Sequence, residues 1–403
     1  MQNRRQFLQM SAAGSLLQLP FGQYAFANTD NDARFVFILL RGAMDGLAAV
    51  SPYADPNYAK LRGAIAINAP GTTDGSLELD GFFGLHPAFQ NLHSMYQENQ
   101  LLIAHAVAGS YRERSHFDGQ KQLENGTNGP LAADDGWLNR ALGTLPAAID
   151  ERANDNYAIA LAQTVPLILQ GAHAVNSWAP AVLPEADAST IDRIAQLYDN
   201  DEFLKSQFAS AMSTRAMADD MAQASMGRQG RRSQAMGPLV NASAKFLTDP
   251  DGPRIAVFES SGWDTHRTQG GANGQLANSF RNLDQSIGLL KTQLGDVWNN
   301  TTVVVVSEFG RTAAVNGSGG TDHGTAGVAM IAGGAVNGGK VLADWPGLAK
   351  SELYEGRDLT PTMDMRSIFK TVLHDHLHVS KQSLEDDIFP GSKAAGLIPD
   401  LLV

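Results

Sequence analysis

A chain of 403 residues that is 43% hydrophobic and only 18% charged has length and apolar content for a large core, arranged as one big α/β domain or one domain with an insertion. Its net charge of −12 argues against nucleic-acid binding, but not against a small anionic substrate, because a bound metal inverts the local field. With no cysteine there are no disulfides and no thiolate metal site, so any metal must sit on His, Asp and Glu.

The chain opens with Asn3-Arg4-Arg5-Gln6-Phe7-Leu8, followed by a mild apolar stretch and Ala25-Phe26-Ala27. This reads as a twin-arginine signal peptide over residues 1–27, cut after Ala27, with an apolar core too short to be a spanning helix. It implies passage through the twin-arginine translocation machinery to the periplasm or the exterior, no transmembrane anchor after cleavage, and a charge of −14 once Arg4 and Arg5 are gone.

Arg34 to Leu40 is a buried strand that ends at Arg41-Gly42-Ala43-Met44-Asp45-Gly46, where Asp45 is either a turn residue or a metal ligand. Residues 51–80 are loop-like, a helix starts at His86-Pro87, and Leu101 to Val107 is a second core strand carrying His105 as a satisfied core histidine. The following polar loop, Gly109 to Gln120, leads into a helix ending near Gly126. Ser115 at its start is either a cap or a hydroxyl facing an anion, with Arg112 and Arg114 beside it. Ile159 to Leu161 and Pro166 to Leu169 read as a short hairpin beside the sheet.

From about 186 to 250 the spacing of Ile, Leu, Phe and Met predicts a helical insertion, broken at Gly227 to Gly237 by a basic loop. Ile255 to Phe258 leads to Gly262-Trp263-Asp264-Thr265-His266. Leu276 to Leu294 is an amphipathic helix feeding Val303 to Val306, a strand buried on both faces. That strand ends in Ser307-Glu308-Phe309-Gly310-Arg311-Thr312, and a glycine-rich loop then delivers Thr321-Asp322-His323-Gly324. Val328 to Ala332 is a further core strand, punctuated by glycines that suggest a hairpin, and the last helix runs from Pro361 to about Leu377.

Acids and histidines thus recur at the carboxyl ends of core strands, where open α/β sheets place their sites. Asp45, Asp264, His266, Glu308, Asp322 and His323 are the candidate ligands for one or two divalent ions. The mixed set suits Zn²⁺ or Mn²⁺, and a carboxylate-rich subset would suit Mg²⁺ or Ca²⁺. A metal centre with a serine at a helix start and arginines nearby describes attack on a phosphoryl or sulfuryl centre. Arg311 would offset charge on the nonbridging oxygens.

Taken in order, the blocks Arg41–Leu47, Arg114-Ser115-His116-Phe117, Gly262–His266, Ser307–Thr312 and Thr321–Gly324 resemble a bacterial family known as a domain of unknown function, usually exported by the twin-arginine route. That family is placed in the alkaline phosphatase and sulfatase superfamily. The resemblance implies an alkaline-phosphatase-like three-layer α/β sandwich over residues 28–403, with a central, mixed, mostly parallel sheet and helices on both faces. It also implies a metal-dependent hydrolase of small anionic phosphate or sulfate esters. On that pattern Ser115 is the nucleophile, with Arg114, His116 and Arg311 beside it, and Asp45, Asp264, His266, Glu308 and His323 form the metal shell. Two departures from the superfamily pattern stand out: Asp264-x-His266 is shorter than its usual Asp-x-x-x-His, and Phe309 replaces a histidine, for which Asp322 or His116 is the available substitute. The alternative is a catalytically degenerate member acting as a binding or scaffold protein of the cell envelope.

Overall fold

In the computed structural model the described residues are 32–145, 157–180, 188–225 and 236–403. The signal-peptide reading of residues 1–27 and most of the basic break after Gly227 lie outside them. The strands are β1 (Arg34–Arg41), β2 (Val50–Ser51), β3 (Leu77–Glu78), β4 (Gly84–Leu85), β5 (Leu101–Ala108), β6 (Ala158–Ala160), β7 (Asn176–Ser177), β8 (Ile255–Ser261), β9 (Thr301–Ser307), β10 (Gly327–Ala332), β11 (Lys340–Leu342) and β12 (Met363–Asp364).

Alternation along β1 decides the layering. Val36, Ile38 and Leu40 join one apolar cluster, and Phe35, Phe37 and Leu39 join another on the opposite face. The first face is covered by the helices Gln90–Gln97, Gly237–Thr248 and Gln275–Leu294. The second is covered by the Trp137–Leu142 and Met365–Thr371 helices, where Trp137 stacks on Phe369 at 5.0 Å. The result is a three-layer α/β sandwich. With both faces covered, β9 is buried from end to end, and its four central valines are the apolar run such burial favours.

The main sheet has the order β11-β5-β10-β9-β1-β8-β6-β7, with β12 also on β5. Pairing is parallel except along β10, which runs antiparallel to both β9 and β5. The carboxyl ends of β1, β5, β8 and β9 therefore open on one edge, and the segment entering β10 arrives there too.

Several local expectations change. Leu167–Leu169 is a 3₁₀ turn, and β6 pairs in parallel with β7, so no hairpin forms there. The glycines after β10 do not close a hairpin either, because β5 lies between β10 and β11. Residues 51–80 hold a short helix, Tyr58–Arg62, and a strand of the small sheet β2-β4-β3. The helix expected at His86 begins at Gln90. Its first N–H groups are met from another element, since Asn91 N and Leu92 N donate to the buried Asp284 carboxylate at 3.1 and 2.9 Å. Of the helical insertion, the Ala188–Tyr198 and Glu202–Ser225 helices are described, but Gly237–Thr248 belongs to the sandwich itself, with Val240, Phe246 and Leu247 in its core. Among the described residues no helix is long and apolar enough to cross a membrane.

Three buried histidines are locked in the neutral form. His105 Nε2 lies 3.0 Å from Val50 O while its Nδ1 accepts from Ala106 N, and His86 is held in the same way by Gly271 O and Ala88 N. His376 Nε2 lies 2.9 Å from Arg34 O. Burial pushes each down to about 4. Their stabilising effect is complete above the unfolded value of about 6.5 and is lost as pH falls through 4, because the unfolded chain takes up protons first. Stability measured by urea unfolding is expected to fall between pH 6.5 and 4 with a slope approaching roughly 4 kcal/mol per pH unit, and His105→Asn should reduce that slope by about a third.

Candidate metal centre

The site is built where the loops after β1, β5, β8 and β9 meet. Those loops approach too closely for side chains at some points. A Cβ on Gly42, which has φ +119°, would lie 2.6 Å from Asp264 N, and one on Gly320 would lie 2.4 Å from Thr265 O. Two residues without that freedom still adopt left-handed backbone, Ala43 at φ 58° and Arg114 at φ 59°, at a cost of order 1 kcal/mol each. Each turns its carbonyl to a site side chain: Ala43 O accepts from Arg311 Nε at 2.7 Å, and Arg114 O lies 2.9 Å from His323 Nδ1.

One nitrogen or oxygen from each of His116, Asp264 and His323 lies within 4.8 Å of the other two. His266 joins them, its Nε2 being 3.0 Å from Asp264 Oδ1 and 3.0 Å from His323 Nε2. His323 Nε2 is 3.3 Å from the same oxygen, and His116 Nε2 is 3.5 Å from Asp264 Oδ2. Each ring has an oxygen acceptor behind it. Nδ1 of His116 meets Glu308 at 2.7 Å, that of His266 meets Asp322 at 3.3 Å, and that of His323 meets the Arg114 carbonyl. An acceptor at Nδ1 places the proton there, so all three Nε2 lone pairs converge on one carboxylate. Two facing lone pairs 3.0 Å apart repel unless a proton or a metal cation lies between them. His116, His323 and Asp264 lie close enough together to hold an ion, with His266 beside them, and imidazole and carboxylate donors suit Zn²⁺ or another divalent transition ion.

Charge in the site follows from these contacts. Burial alone would push Glu308 up, but hydrogen bonds from His116, Gln120 and Gly42 N outweigh it and hold the carboxyl below its usual range. Asp264 is likewise held low by Arg311 against the effect of burial, and Asp322 is lowered chiefly by Asn316. The hydrogen bond to Glu308 raises His116, whereas burial, His116 and Arg311 lower His323.

Several residues expected as ligands or substrate contacts stand elsewhere. Asp45 is 1% exposed and does not reach the cluster. It caps the short Gly46–Ala49 helix, pairs with the fully buried Arg62, and accepts from Gln269 Nε2 at 2.6 Å. Gln269 Oε1 in turn takes the Thr265 and Thr321 hydroxyls, so Asp45 steadies the loops from behind. Glu308, its side chain wholly buried, stands behind His116 instead of among the converging nitrogens, and Asp322 plays the same part for His266. The Arg311 side chain shows no surface at all. Its donors reach Ala43 O, Thr321 O, Gly42 O, Trp263 O and the Asp264 carboxylate, so none is turned to a substrate. Arg114 is drawn into pairs with Asp358 and Glu355. His116, expected beside the nucleophile, is a member of the cluster, its ring stacked on Phe309 at 5.0 Å. Ser115 stands at the helix start in extended backbone, and its side chain makes no capping bond.

Residues the sequence reading passed over complete the site. Gln120 links Arg41 to Glu308, accepting at 2.5 Å and donating at 3.0 Å, and Arg41 is anchored by Glu124 and Glu259. His116, Gln120 and Glu124 are spaced four apart, a polar stripe on one helix face that was readable in advance. Asp358 and the half-exposed Arg357, which donates to His323 O at 2.9 Å, carry no comparable local signal.

The family described as "Protein of unknown function (DUF1501)" matches residues 93–388. The chain belongs to this family. No curated protein matches it. Among solved structures it is similar to Ps i-CgsB in complex with k-i-k-neocarrahexaose, at 10% identity over 91% of this chain and 77% of the other, with a TM-score of 0.39. It is similar to a sulfatase from Pseudoalteromonas sp. at 12% identity, covering 85% and 67%, with a TM-score of 0.38. A phosphonate monoester hydrolase of Agrobacterium radiobacter shares 11% identity, covering 86% and 74%, with a TM-score of 0.30.

Removing one half of the buried Asp45–Arg62 pair leaves the other charge stranded. Asp45→Ala is expected to lower the unfolding free energy by about 3–5 kcal/mol, and adding Arg62→Met to recover much of that loss. Urea denaturation measures both. The folded Asp45→Ala protein should keep the same complement of residues around Asp264, because Asp45 stands behind the cluster and steadies its loops without being one of its members.

Proposed function

We propose that this chain is an exported, divalent-metal-dependent hydrolase of phosphate or sulfate esters, with the ion held by His116, Asp264, His266 and His323. The observation that carries this reading is the convergence of three Nδ1-anchored imidazoles on the Asp264 carboxylate. A cation bound there would supply Lewis-acid polarisation of an ester oxygen. The chain's own groups account for the rest. Glu308, Asp322 and the Arg114 carbonyl hold the rings in the one tautomer that points Nε2 inward. Ser115 is the proposed nucleophile. Its hydroxyl is not used in capping, it lies between two residues that touch the cluster, and it opens a ten-residue helix whose free N–H groups suit an anion. Arg357, half-exposed and joined to the His323 carbonyl, takes the anion-binding role that buried Arg311 does not fill. The export proposal rests on Arg4-Arg5 and Ala25-Phe26-Ala27.

One observation favours the second reading, a catalytically degenerate binding or scaffold protein of the cell envelope: the donors of Arg311, and the charge of Arg114, are engaged within the protein.

The test is metal content by elemental mass spectrometry after reconstitution with Zn²⁺ or Mn²⁺, together with turnover of 4-nitrophenyl phosphate and 4-nitrophenyl sulfate. A bound ion lost in His323→Ala and Asp264→Ala, with turnover that falls in Ser115→Ala at little change in KM, is the expected result. Ion binding without turnover of either ester would turn the assignment to the binding protein. Failure of the wild type to take up any ion would sink the metal mechanism.

A further inference from the structure

We infer that Arg311 fills the place of a second metal ion, so that the centre takes one divalent cation and carries its other positive charge as a permanent part of the chain. The inference rests on the metal-centre reading above and adds its stoichiometry.

The surroundings of Arg311 are those a hard cation would seek. Four backbone carbonyls and one carboxylate oxygen face a single guanidinium: Ala43 O at 2.7 Å, Gly42 O at 2.7 Å, Thr321 O at 3.1 Å, Trp263 O at 3.2 Å, and Asp264 Oδ1. The side chain has no exposed surface, so neither solvent nor substrate competes for it. Arg311 shares Asp264 with the imidazoles of the proposed ion site, which puts a fixed positive charge beside that site.

Two other acids that would build a second ion site, Asp45 and Glu308, are already satisfied. Asp45 has Arg62, Gln269 Nε2 and Ala48 N as partners. Glu308 takes hydrogen bonds from Gly42 N at 2.9 Å, Gln120 at 3.0 Å and His116 at 2.7 Å, and the Ser307 hydroxyl lies 2.9 Å from its second oxygen. Phe309, which follows Glu308, is 4% exposed and offers a ring face to His116 and no donor atom. A second divalent ion would have to break one of these sets and sit against the guanidinium.

The experiment is titration of the metal-depleted, full-length protein with Zn²⁺ and separately Mn²⁺ by isothermal calorimetry, checked by elemental mass spectrometry. Three proteins are compared: wild type, Glu308→Gln and Arg311→Gln. One equivalent is expected in the wild type. Glu308→Gln should keep one equivalent at about ten- to hundredfold weaker affinity, because Glu308 acts through His116. Arg311→Gln, if folded by circular dichroism, should bind its first ion at least about tenfold more tightly, since a like charge has been removed. Tighter binding separates this role from a purely structural one, in which loosened loops would weaken the site. If Arg311→Gln does not fold, the other two proteins decide. Two equivalents in the wild type, with one lost in Glu308→Gln, would overturn the inference and leave the hydrolase reading standing. Weaker or unchanged first-ion affinity in folded Arg311→Gln would overturn it as well. No ion in the wild type would overturn both.

Discussion

Two imidazole nitrogens facing each other at 3.0 Å, His266 Nε2 and His323 Nε2, share that space only with a proton or a metal cation between them. Much of the loop architecture at the sheet's edge serves to keep them there. Rings free to turn would relieve the repulsion by exposing their lone pairs to water. Glu308, Asp322 and the Arg114 carbonyl prevent this by holding the opposite nitrogen of each ring. A cluster prepared in this way has lost its rotamer freedom before any ligand arrives, which is what tight and selective ion binding requires.

That arrangement leans on buried charge. Arg311 ties the loops after β1 and β8 to the segment before β10, and it does so through carbonyls that would otherwise be buried without partners. Asp45 and Arg62 brace the same loops from behind through Gln269. Asp358, also buried, is paired with Arg114 and Arg357 on either side of His323. Pairs of this kind add little net stability over well-packed apolar residues, but they are strongly directional. Their effect is to fix where the imidazoles stand, and the left-handed backbone of Ala43 and Arg114 is tolerated because their carbonyls are held in place.

Phe309 and His116 show how the cluster is composed. The residue after the strand-end acid carries no donor, yet an imidazole still stands against Glu308, supplied by the helix after β5. The stack of His116 on Phe309 gives the phenyl ring a part in the site: it walls one face of the imidazole and leaves its edge to Glu308 and Asp264.

The sequence by itself determined the layers and the edge. Apolar runs in β1, β5 and β9 read as buried strands, and the amphipathic run from Leu276 to Leu294 reads as a covering helix, because burial imposes those patterns locally. It also placed Asp264, His266 and His323 at the ends of core strands or on the segment leading into the next one. What tertiary structure alone decided was which acid faces a ring, which faces an arginine, and which face the cluster itself. Asp45, Glu308 and Asp264 all follow core strands, and nothing local separates them. Their roles differ because Arg62, His116 and Arg311 come from remote parts of the chain, brought to each carboxylate only when the sheet closes. The same cause made the hairpin after β10 illegible. The glycines specified a turn, but β5, more than 200 positions earlier, took the place between the two strands.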